Sequence, residues 1–120
     1  MKNNGIKDVS KTIEYKGIEY PILFNLNVME EIQEEYGTLE EWGKLTDGEN
    51  GEPNIKAVVY GFKAMINEGI DISNEENGTD IKPLTSKQVG RMITEIGLEE
   101  MTNQLNSTVV ESTKGDEKNA

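Results

Sequence analysis

The sequence predicts a mainly helical α+β fold: an N-terminal β-hairpin followed by about five short helices in a small bundle. Three observations carry this reading. Two alternating apolar runs flank a Lys16-Gly17 pair. Apolar residues recur every three or four positions in five later segments. Capping residues open those segments, and glycines close most of them.

The hairpin comes first. Ile13 and Tyr15 alternate with Thr12 and Glu14, and Ile18, Tyr20 and Ile22 alternate with Glu19, Pro21 and Leu23. Lys16-Gly17 supplies the turn, with glycine free to adopt positive φ. Pro21 has no N–H to give a ladder, which puts its strand at an edge or turns that position outward.

Asn25 then stands as an N-cap. Leu26, Met29, Ile32 and Tyr36 form one helical face, and Gly37 ends it. Thr38 with Glu41 opens a second, short helix carrying Leu39, Trp42 and Leu45. Thr46 to Pro53 reads as a loop. Asn54 caps a third helix, in which Ile55, Val58, Val59, Phe62, Met65 and Ile66 make the cleanest stripe of the chain, with Gly69 as its stop. Gly61 lies inside this helix, where it costs about 1 kcal/mol against alanine. A close helix crossing there explains it. Ile70 to Leu84 is polar and reads as a mobile loop. Thr85 with Gln88 is a further capping box, followed by Val89, Met92, Ile93 and Ile96 and a stop at Gly97. Leu98, Met101 and Leu105 mark a last helix reaching to Val109.

This divides the chain into a flexible stretch over 1–11, one domain over 12–110 and a disordered polar tail over 111–120. The longest apolar run, Ala57 to Tyr60, has four residues, so no membrane helix is expected. The absence of cysteine fits a reducing compartment, and a soluble intracellular protein is the natural expectation.

Composition removes whole classes of chemistry. With no Cys and no His, the chain has no disulfide, no thiol nucleophile, no imidazole triad and no ordinary zinc ligand set. A formal charge of -11 opposes binding to nucleic-acid phosphates. The charge is uneven: nine acids and one base, Lys44, lie between Asn27 and Pro53. Neither a phosphate-cradling glycine motif nor a calcium loop is present. In the stretch from Ser73, a glycine sits at the sixth position, but Leu84 occupies the twelfth, where a bidentate carboxylate is needed. No catalytic residue, cofactor or metal is assigned.

The remaining candidates are partner-binding residues. Glu30, Glu34 and Glu41 belong to an acidic face, and Glu30 and Glu34 at i, i+4 repel each other. Such a face serves either solubility or a basic partner. Trp42 either plugs the core between the second helix and the hairpin or acts as an aromatic anchor for a partner. The stripes at Val58, Phe62, Met65, Met92 and Ile96 are expected to split between core and partner surface, and five methionines suit adaptable contacts.

The run from Tyr20 to Asn27, continued by Met29 to Trp42, resembles the tail assembly chaperones of long-tailed, siphovirus-type bacteriophages. There a short strand pair leads into a similar helix start and then an acidic stretch. Phe62 to Gly69 and Pro83 to Gly90 resemble later segments of that family, so the likeness spans about residues 12 to 97. It implies a non-enzymatic protein of the host bacterial cytoplasm, absent from the mature virion. Such a protein binds the tape-measure protein, keeps it soluble and helps recruit tail-tube subunits, in many phages through a frameshifted longer form. Homo-oligomers fit the resemblance. The competing expectation is an acidic phage-encoded inhibitor, a nucleic-acid mimic that binds a basic host protein.

Overall fold

The computed structural model describes residues 9–48 and 51–118. The chain forms an antiparallel hairpin and then five helices: β1 Val9–Tyr15, β2 Ile18–Phe24, α1 Leu26–Tyr36, α2 Leu39–Asp47, α3 Ile55–Asn77, α4 Ser86–Ile96 and α5 Leu98–Lys118. The predicted mainly helical α+β architecture is therefore present. Two of the helices, however, are far from short: α3 has 23 residues and α5 has 21.

The hairpin register pairs Tyr15 with Ile18, Ile13 with Tyr20 and Val9 with Phe24. Lys16 and Gly17 have φ of 55° and 80°, the two positive values of a type I′ turn. Strand β1 begins at Val9, inside the stretch expected to be flexible; residues 1–8 of that stretch lie outside the described residues. Every predicted N-cap is in place. Asn25, Thr38, Asn54 and Thr85 each accept a hydrogen bond from a backbone N–H three residues on, and Gln88 completes the capping box with Thr85.

Helix α3 is the spine. Asn25 and Asn27 donate to Glu68 Oε2 at 2.8 and 3.0 Å, while Glu35 meets Lys56 at 3.9 Å, so α1 runs antiparallel to α3. Lys63 Nζ donates to Ser86 Oγ at 3.3 Å, and the start of α3 faces Ile93, so α4 is antiparallel on the other flank. Helix α5 folds back across the hairpin, where Lys11 donates to Ser107 Oγ at 2.7 Å and pairs with Glu111 at 3.5 Å. Between these layers lies one core containing Ile13, Ile22, Phe24, Val28, Ile32, Trp42, Phe62, Met65, Met92, Met101 and Leu105. Among the described residues no helix is long and apolar enough to cross a membrane.

Three expectations are corrected. Gly69 does not stop α3. It is buried mid-helix against Pro21: a β-carbon there would lie 2.9 Å from Pro21 Cβ and Cγ. The glycine serves close approach to β2, and the helix continues to Gly78, whose φ of 66° ends it. The stretch read as a mobile loop is accordingly helical to Asn77, and the rest is bolted to α3. Asn67 donates to Leu84 O at 3.0 Å and accepts from Leu84 N–H at 2.8 Å. Asn74 accepts from Ile81 N–H at 3.0 Å and donates to Ile81 O at 3.0 Å.

The third concerns the polar tail. Helix α5 continues through it to Lys118, and residues 119–120 lie outside the described residues. Thr108 and Ser112 are fully buried, and each hydroxyl donates 2.8 Å to the carbonyl four residues back. Small hydroxyls satisfied in this way carry the inward face on where apolar side chains run out.

Candidate docking groove and acidic face

Most of the apolar residues singled out in the sequence belong to the core. Val58, Phe62 and Met65 are 0% exposed, and Trp42 and Met92 are 1% exposed. In the folded chain Phe62, Met65, Trp42 and Met92 offer essentially no side-chain surface to a partner. Ile96 is half-buried against the core. Trp42 anchors α2 to α3, within the same core as the hairpin residues Ile13, Ile22 and Phe24. Its ring lies against Gly61, with Leu105 of α5 beside it, and its Nε1–H donates to Ala57 O at 3.0 Å.

What stays open is the edge of the same stripes. Ile55, Val58 and Val59 of α3 face Gly90, Ile93 and Thr94 of α4 and Leu98 of α5 across a groove of about 280 Å³. Ile55 is 55% exposed at its mouth, and Val58 forms part of its floor. Antiparallel packing brings the ends of the two helices together here, and the short Gly97 link swings Leu98 in. Gly90 stands in the wall, and nothing lies within 4 Å of where its β-carbon would be. A mid-helix glycine costs about 1 kcal/mol against alanine. The fold itself leaves room for that methyl group, so the domain's own packing does not require the glycine.

The acidic face lies on the other flank of α3. Glu30, Glu31, Glu34 and Glu35 of α1 and Glu40 and Glu41 of α2 are all exposed. Glu40 and Glu41 occupy the first turn of α2, where the helix dipole favours them. Among the described residues, Lys56–Glu35 is the one ion pair made by this set. Partial burial raises the pKa of the Glu31 carboxyl, with the Glu68 charge adding to this and Lys63 opposing it. Beneath the row, Tyr36 and Tyr60 stack edge to face at 5.5 Å, and Tyr60 donates to Glu31 O at 2.9 Å. Desolvation, then the neighbouring carboxylates, raises both phenols. The Tyr36 hydroxyl is buried and has no partner among the described residues.

Glu30, Glu34 and Glu41 are thus all exposed, while Val58 alone of the apolar candidates reaches the groove. Ile55, Val59, Ile93 and Leu98 were visible as stripe members, but not as a site. Comparison of the chain with known protein families, with curated proteins and with solved structures gave no match.

Proposed function

We propose that the protein is a tail assembly chaperone of a long-tailed bacteriophage or prophage. It holds an amphipathic helix of the tape-measure protein in the α3–α4 groove, keeps that protein soluble in the host cytoplasm and helps bring tail-tube subunits to it. It is not an enzyme and leaves before the tail is complete. One observation carries the reading: an open apolar groove whose wall contains an unpacked helical glycine. Helix-in-groove recognition needs an apolar trough and small residues that admit a second backbone. The sequence resemblance supplies the identity of the occupant. Homo-oligomers and a longer, tube-recruiting form belong to the same proposal.

The test is co-expression with the tape-measure protein of the same phage or prophage, reading its soluble fraction. Ile55→Asp places a charge at a half-exposed groove position and leaves the core intact. We expect soluble tape measure with the wild type and its loss with Ile55→Asp. Equal solubility with wild type, with variant and with no chaperone overturns the proposal. Substituting Phe62 or Met92 is a poor test, because both are buried and a charge there unfolds the domain.

The exposed row at Glu30, Glu34 and Glu41 favours a second reading, an acidic inhibitor that mimics nucleic acid and binds a basic host protein. Salt separates the two. Binding through the acidic row weakens steeply between low and high ionic strength, and binding through the groove hardly changes.

A further inference from the structure

On the other side of α4 from the groove, the hairpin turn and α4 enclose a second pocket of about 230 Å³, lined by Tyr15, Lys16, Tyr20, Leu84, Gln88, Arg91 and Met92. We infer that this pocket is a recognition site for a carboxylate carried on a partly apolar peptide segment of a partner protein.

Three independent features point there. The first is charge. Arg91 is the only arginine in a chain of net charge -11. Among the described residues it makes no ion pair and no hydrogen bond, although carboxylates outnumber cations about two to one. The second is backbone geometry. Lys16 is the single described non-glycine residue with positive φ, at 55°. A type I′ turn prefers asparagine, aspartate or glycine at that position, so lysine there is a local choice against stability. Its Nζ sits 5.5 Å from the Tyr15 ring centroid, which keeps the ammonium at the pocket wall. Strained positions of this kind gather at binding sites.

The third is the sorting of the hairpin's own charges. Strand alternation puts Tyr15, Ile18 and Tyr20 on one face and the cross-strand pair Glu14 and Glu19 on the other. The hairpin's own carboxylates therefore face away from the pocket, while the Lys16 ammonium lies by the Tyr15 ring and Arg91 lines the same pocket. A guanidinium binds a carboxylate through two parallel N–H bonds. Leu84 in the pocket lining, and exposed Ile18 on the same hairpin face as Tyr15 and Tyr20, provide contact for a neighbouring apolar side chain. A small mobile anion has no use for those apolar walls, whereas a peptide does.

The test is an NMR titration of the ¹⁵N-labelled full chain with two probes: a capped peptide of alternating glutamate and leucine, and inorganic phosphate. The peptide is expected to give saturable shifts at the Lys16 and Gly17 amides and the Arg91 Nε–H. Affinity should fall about tenfold or more in Arg91→Gln and in Lys16→Asn. Asparagine accepts the turn geometry, so Lys16→Asn should melt no lower than wild type, which separates loss of binding from loss of fold. Absence of saturable peptide shifts overturns the proposal, as does unchanged affinity in both variants. Saturation by phosphate as tight as by peptide also overturns it, since the pocket is then a trap for any anion.

Discussion

The Trp42 ring occupies the space where a side chain at position 61 would stand, so the two residues constrain each other. The ring is 1% exposed and tied by its Nε1–H to Ala57 O, and it cannot tilt away. Gly61→Ala therefore gains about 1 kcal/mol of helix propensity and meets an overpacking cost of about 1–3 kcal/mol. The expected outcome is a net loss of stability, seen as a lower denaturant midpoint at unchanged slope. Glu31 makes the opposite case, a native residue held at a disadvantage. Its carboxyl titrates above the usual value because of partial burial and the charges of Glu68, Glu34 and Glu30. A raised acid pKa means that the folded state binds the proton more tightly than the unfolded state. This contribution erodes stability as pH rises from 4.5 through the raised folded value, and it is absent below that window. Glu31→Gln should accordingly raise the melting temperature at pH 7, and the gain should shrink as the pH is lowered through the carboxylate range.

At the scale of elements, capping chemistry was the most legible part of the sequence. A polar side chain that can satisfy an N–H three residues on is a purely local signal, and all four predicted caps form. Glycine was the ambiguous letter. Gly37 and Gly97 end helices as expected, and both have positive φ. Gly69 carries the same letter for a different reason, because Pro21 of β2 presses on the helix there. Only the tertiary contact distinguishes a glycine needed for φ from one needed for space, and reading it as a stop shortened α3. The polar stretch after it was misread because asparagine commonly signals a loop. Here Asn67 and Asn74 use their amides as a substitute ladder for the chain that returns to α4. Asn67→Ala removes both bonds to Leu84 and should cost about 1–3 kcal/mol. The check is native-state hydrogen exchange: the Leu84 amide should lose protection while the amides of β2 keep theirs.

For the whole molecule, the acidic face was readable in advance because charge points outward almost by definition. The apolar site was not. The most hydrophobic centre of each stripe, Phe62, Met65 and Met92, is what the core claims first, so ranking by hydrophobicity selects core residues. The residues left over lie at the stripe edges, and which edge stays uncovered depends on how far apart α3 and α4 settle, which sequence does not encode locally. Gly90 is the position that tests whether the groove receives a helix. Nothing in the domain occupies its side-chain space, so Gly90→Ala should stabilise the isolated protein by up to about 1 kcal/mol. If the groove receives a helix, the same methyl group stands between two backbones and must weaken the complex. The measurement is paired: thermal unfolding of the free variant, and retention of the tape-measure protein on co-purification. A variant that melts higher and retains less partner locates the docking surface. A variant that melts higher and retains as much places the partner elsewhere, on the acidic flank of α3, where high salt should then release it.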